Sequence, residues 1–141
     1  MTFREKKAWI TLITLVIVFG VYFPFMANAY HTPDQNFGYL THTALIALSA
    51  FLVMEIVLLV VVALRSPADA RTPKDERELM IELRANRIAY FCLMVFVIVS
   101  VFLMIHEHGG NWGWGHLFFL SVILAEVINF ATQIVLYRRG A

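Results

Sequence analysis

Residues Tyr39–Leu64 read YLTHTALIALSAFLVMEIVLLVVVAL, 26 residues with one charged side chain, Glu55, and neither glycine nor proline. As a helix rising ~1.5 Å per residue, such a stretch outlasts the ~30 Å hydrocarbon core of a bilayer. A helix of a soluble domain keeps one polar face, whereas this one is apolar almost all round. Three further stretches of the same kind accompany it: Ala8–Met26 with 19 residues, Ile88–Ile105 with 18 and Leu117–Leu136 with 20. Together the four take 83 of the 141 residues, in a chain that is 60% hydrophobic and only 15% charged. That composition lies outside the range of soluble domains. The expected fold is all-α, an integral membrane four-helix bundle of two hairpins, with residues 1–141 forming a single membrane domain. The tails and loops are too short to fold as a separate soluble domain, so a large extramembrane enzyme is excluded.

The basic residues orient the chain. Arg4, Lys6 and Lys7 precede the first span; Arg65, Arg71, Lys74, Arg77, Arg84 and Arg87 lie between the second and third; Arg138 and Arg139 follow the fourth. The loops Ala27–Gly38 and His106–His116 contain none. Positive charge is retained on the cytoplasmic side, so both termini and the central loop are expected inside and the two short loops outside. The expected location is a bacterial or archaeal inner (cytoplasmic) membrane. A formal net charge of +1 with basic residues flanking spans gives no reason to expect nucleic acid as a partner. The lipid bilayer is the expected partner, together with further copies of the chain in a homo-oligomer or a larger membrane complex.

The ending Ala27-Asn28-Ala29 imitates a signal-peptidase site, but the preceding 19 apolar residues exceed the ~7–15 of a signal sequence, and the segment reads as a span. Cys92 is the only cysteine and lies inside the third span. An intrachain disulfide, a Cys-x-x-Cys redox pair and a thiolate zinc site are therefore excluded.

Both hairpins follow one plan: basic flank, span, outer loop free of basic residues, span with one glutamate, basic flank. Glu55 and Glu126 occupy the equivalent spans, as parallel repeats about an axis along the membrane normal would place them. Before the third span, Thr72-Pro73-Lys74-Asp75 offers an N-cap, a proline at the first helical position and an acid at the third. This predicts an amphipathic helical extension over about 73–87, running without a break into the span. Its apolar residues Leu79, Met80, Leu83 and Ile88 are expected to pack on the inner ends of the other helices, or to dock a partner. Ser121 with Ala125, and Ala44 with Ala47 and Ala50, are small residues at spacings that permit close helix contact.

Three stretches carry a resemblance: Phe3-Arg4-Glu5-Lys6-Lys7-Ala8-Trp9 at the start, Asp75-Glu76-Arg77-Glu78 with Ile81 and Arg87 before the third span, and Leu136-Tyr137-Arg138-Arg139-Gly140 at the end. In these the chain resembles an uncharacterised family of small prokaryotic four-span membrane proteins. The resemblance implies no particular activity. Members similar to it are often encoded beside a small helix-turn-helix regulator, which implies a regulatory or stress-linked setting.

The five histidines all fall at the outer side: His31 in the first outer loop, His42 at the start of the second span, His106 and His108 in the second loop, and His116 at the start of the fourth span. Imidazoles gathered on an outer face suit a transition metal. In His106-Glu107-His108 an extended backbone would project both rings to one side, and His116, with His31 or Asp34, would complete a three- or four-ligand site. The competing reading makes these histidines interfacial rings, like Tyr30, Tyr39, Trp112 and Trp114. His42 and His116 stand at corresponding outer ends of the second and fourth helices and could bind one b-type haem from opposite sides.

Glu55 lies ten residues before Arg65 and Glu126 twelve before Arg138, about 15 and 18 Å from the inner boundary. Charge at that depth is costly, ~2.5–3.5 kcal/mol for aspartate or a basic residue, and so marks a proton or cation site or an interhelical hydrogen bond. Glu126, Asn129 and Gln133 form one stripe on the fourth helix, expected to face protein. No phosphate-binding glycine loop, His-Glu-x-x-His motif or di-iron Glu-x-x-His pair occurs. The function expected first is that of a non-enzymatic sensory, accessory or regulatory protein with an outer histidine cluster. The alternatives are a proton- or cation-coupled small transporter using Glu55 and Glu126, and a haem-binding or structural subunit of a larger complex.

Overall fold

The computed structural model describes residues 3–29, 37–65, 67, 73, 75–106 and 113–139. They form four helices: α1, Phe3–Ala29; α2, Phe37–Arg65; α3, Glu76–His106; and α4, Gly113–Arg139. Each is long and apolar enough to cross a membrane, and four such helices characterise a multi-pass membrane protein. Every helix outruns its apolar stretch, because the polar flanks continue the same backbone hydrogen-bond ladder.

The extensive helix contacts are α1 with α2, α1 with α4, and α3 with α4. The helices thus lie in the spatial order α2, α1, α4, α3. The two hairpins meet through α1 and α4, while α2 and α3 form the flanks. Most described side chains of α2 are exposed, including the leucines, valines and isoleucines that would meet lipid. The buried core is carried mainly by α1 and α4: Leu15, Phe19, Tyr22 and Met26 pack with Ile123, and Ala44, Ala47 and Phe51 of α2 close over them. The third alanine of that series, Ala50, is exposed. Steps of three rotate a helix by about 300°, so the alanine row drifts about 60° per step and leaves the contact by Ala50. Ser121 and Ala125 are both buried, and Ser121 Oγ lies 3.2 Å from Ser100 Oγ on α3.

The start of α3 departs from expectation in two respects. The helix begins at Glu76, three residues beyond Pro73, and Asp75 is its cap. Asp75 Oδ1 accepts from the Glu76 amide at 2.8 Å, and the Asp75 amide donates to Glu78 Oε2 at 3.3 Å. The Asp75 carbonyl accepts the first helical bond, from the Leu79 amide at 3.0 Å. Glu78, the third helical residue, thus supplies the back-bonding half of a capping box, while the Asp75 carboxylate caps the Glu76 amide. The second departure concerns the apolar stripe, since Leu79, Met80, Leu83 and Ile88 all point outward. The buried residues are Ile81, Ala85 and Ala89, spaced by four. Two alanines in this row let α3 approach its neighbours more closely than leucine would.

Candidate functional site

The two ends of the molecule differ in chemistry. At the end bearing His116, aromatic rings fill the space between helices. Phe19 has Phe51, Phe119, Tyr22 and Phe23 at centroid distances of 5.5 to 6.2 Å, and Tyr22 lies 5.8 Å from Phe119. Edge-to-face and tilted packing of this kind holds rings tightly. His116 stacks on Tyr22 at 6.0 Å with 18° between the planes.

At the opposite, basic end the helices line a partly open cavity of about 270 Å³ with both polar and apolar walls. From α1 come Arg4 and Lys7, with Phe3 and Ala8 beside them. Glu78, Glu82 and Asn86 of α3 form the facing wall. Asn129, Gln133 and Tyr137 of α4, with Phe130, complete it. Arg4 Nη1 and Glu78 Oε2 form an ion pair at 2.5 Å between groups about one-fifth exposed, which ties the start of α1 to the capped start of α3. The Arg138 guanidinium covers the Trp9 ring at 5.2 Å, a cation–π contact that ties the end of α4 to α1. All three stretches that carry the family resemblance therefore meet around this cavity.

From the cavity a hydrogen-bonded ladder climbs α4 toward mid-helix. Gln133 Nε2 donates to Asn129 Oδ1 at 3.1 Å, and Asn129 Nδ2 donates to Glu126 Oε2 at 3.4 Å. The stripe does not face protein throughout, since Asn129 is buried, Gln133 half-buried and Glu126 exposed. Helix geometry explains the gradient. Ile123, in the core with α1, lies about 60° to one side of Glu126, and Ser121, bonded to α3, about 140° to the other. Asn129 is turned about 60° toward the α3 side and Gln133 only about 20°. Glu126 therefore faces the gap between α1 and α3. The same gap is bridged at the basic end by Arg4 and Glu78.

Glu55 has a different setting. Thr11, 5% exposed on α1, donates from Oγ1 to Glu55 Oε1 on α2, while Glu55 Oε2 is buried with no hydrogen-bond partner among the described residues. The two midspan glutamates, equivalent by sequence position, thus belong to separate sites.

Of the proposed metal ligands, His31 and His108 lie outside the described residues, as does Asp34. His42 and His106 are exposed, with the His106 ring stacked on Phe102 at 6.1 Å. Among the described residues no three His, Cys, Asp or Glu side chains gather closely enough to hold a metal ion. Sequence reasoning singled out the glutamates, Asn129 and Gln133 but missed the part played by Arg4, Lys7, Glu78, Glu82 and Tyr137. Arg4, Lys7, Glu78 and Tyr137 lie in the three stretches quoted for the resemblance, which was the signal available for finding them; Glu82 does not. Comparison with family models, curated proteins and solved structures gives no match.

Proposed function

We propose that this chain is a non-enzymatic sensory or accessory protein of the cytoplasmic membrane, with both termini inside. Its responsive site is the basic-end cavity, and Glu126 exchanges protons or cations with the inner aqueous phase along the Gln133–Asn129 ladder. One observation carries the reading: a hydrogen-bonded ladder joins Glu126, exposed on α4, to the basic-end cavity, whereas packed rings fill the helix interface at the other end. A carboxyl linked by hydrogen bonds to the cavity at one end suits a receiver, and a transporter would need the ring cluster to open as well. Arg4 and Lys7 of α1, Glu78 and Glu82 of α3 and Tyr137 of α4 are the ionisable groups lining the approach.

The test is reconstitution into liposomes containing a pH-sensitive dye, with infrared spectroscopy of the carboxyl band in H₂O and D₂O on the same samples. The proposal expects no proton flux above that of empty liposomes. It also expects a carboxyl signal that disappears in Glu126→Gln and exchanges more slowly in Gln133→Leu. Flux that Glu126→Gln abolishes would replace this proposal with the transporter reading, and a signal indifferent to Gln133→Leu would remove the ladder from it.

A further inference from the structure

The cavity walls are charged in an ordered way. Cations come from α1 (Arg4, Lys7), carboxylates from α3 (Glu78, Glu82), and neutral hydrogen-bonding groups from α4 (Asn129, Gln133 and Tyr137). Arg4 and Glu78 are committed to each other across the top. Two cations face two carboxylates, so a ligand of one charge would gain at one wall what it lost at the other. A zwitterion with its anion toward α1 and its cation toward α3 is favoured at both. The carboxylates, with the Asn86 side-chain oxygen, offer several acceptors, which a primary ammonium can use through its three N–H bonds and a quaternary ammonium cannot. At about 270 Å³ the space falls below the ~300–1,000 Å³ range of typical small-molecule pockets, which favours a compact polar group. Phe3, Ala8 and Phe130 supply an apolar margin on which a hydrocarbon part could rest. The basic flanks that border the cavity belong at the level of lipid phosphates.

We propose that this cavity binds a zwitterionic phosphoethanolamine group, its phosphate held by Lys7 and its primary ammonium by Glu82 with Asn86. The proposal rests on the reading of this cavity as the responsive site. The chemistry has two sources, the headgroup of a membrane lipid or a free phosphoethanolamine ester.

The experiment incorporates the full-length protein into nanodiscs of phosphatidylcholine doped with equal amounts of phosphatidylethanolamine and N-methylated phosphatidylethanolamines. After transfer to detergent, retained lipids are counted by native mass spectrometry. Retention of phosphatidylethanolamine at least five-fold above phosphatidylcholine is expected, falling stepwise with each added methyl. Glu82→Gln should flatten this series, and Lys7→Gln should lower retention of all its members alike. Soluble glycerophosphoethanolamine, titrated into protein in pure phosphatidylcholine, separates the sources: saturable thermal stabilisation means a free ester suffices, and its absence alongside lipid retention means the lipid is the ligand. Equal retention of ethanolamine and choline lipids by the wild-type protein, with no response to the soluble ester, would overturn the proposal. That comparison needs no substituted protein, so misfolding of a variant cannot obscure it. If Glu126 exchange still depends on Gln133 in that case, the functional reading stands and only the ligand assignment falls.

Discussion

The contact between Thr11 and Glu55 makes an asymmetric prediction. The Thr11 hydroxyl has one proton and two acceptors, Glu55 Oε1 on the neighbouring helix and the Lys7 carbonyl at 3.1 Å on its own helix. Replacing Thr11 by valine keeps the shape and removes the hydroxyl. The interhelical bond is then lost, worth ~0.6 kcal/mol on average and up to ~1.7 in membrane proteins. Glu55, whose Oε2 already lacks a partner among the described residues, would have neither oxygen hydrogen-bonded, at a further cost of about 1–3 kcal/mol. Thr11→Val should therefore destabilise the protein by roughly 1.5–4.5 kcal/mol, the lower end applying if water or a rotated side chain relieves the carboxyl. Glu55→Leu removes the group that needs a partner, and Thr11 can still turn to the Lys7 carbonyl, so this change should be nearly neutral. In the Glu55→Leu background, Thr11→Val should cost less than about 0.5 kcal/mol, because no buried carboxyl is left behind. Glu55→Gln should retain wild-type stability, since its amide can donate to Thr11 while Thr11 donates to the Lys7 carbonyl. The assay is reversible unfolding in mixed micelles of rising dodecyl sulfate fraction, run as a double-mutant cycle. An equal cost of Thr11→Val in both backgrounds would refute the reasoning, because the coupling energy between the two side chains would then be zero.

Three further outcomes follow from the same contacts. A double-mutant cycle on Arg4→Ala and Glu78→Ala should give a coupling of about 1 kcal/mol that shrinks in high salt, since both partners are part-exposed; a salt-independent value would mean that the pair is not the linking interaction. Asp75→Ala should destabilise by about 1 kcal/mol through loss of the cap, and Asp75→Asn should recover most of it; equal losses in the same micellar assay would contradict the capping role. Ser121→Ala should cost only about 0.6 kcal/mol, whereas Ser121→Leu should separate α3 from α4 and cost several-fold more, as read by the thermal midpoint in detergent; equal midpoints would show that the helices do not approach closely there.

Much of the architecture was legible without coordinates. Long apolar runs such as Tyr39–Leu64 announce helices through length and transfer free energy alone, which depend on composition and need no tertiary contact. The helical nature of the stretch before the third span was equally readable, because caps act within a turn, although Asp75 rather than Thr72 proved to be the cap. Of the two readings of its apolar stripe, packing on the other helices is contradicted by the structure, and docking of a partner stays an expectation. Leu79, Met80 and Leu83 suggested an inward stripe by the logic of soluble proteins, where water drives leucine inside. In the structure the row Ile81, Ala85 and Ala89 faces inward instead, because its two alanines permit close helix approach.

The site divides along the same line. Glu55, Glu126, Asn129 and Gln133 could be singled out because a polar side chain amid apolar sequence is visible one residue at a time. The amino-acid sequence by itself determined the number of helices, their apolar character and the gathering of basic residues at one end, all of which follow from local composition. Only the tertiary structure decided that α1 and α4 form the centre, that Glu55 and Glu126 belong to separate sites, and that Arg4 reaches Glu78 from 74 residues away at the basic-end cavity. The physical reason is that neighbour choice among apolar helices rests on shape and on a few long-range polar contacts, and neither is written in any single stretch of the chain.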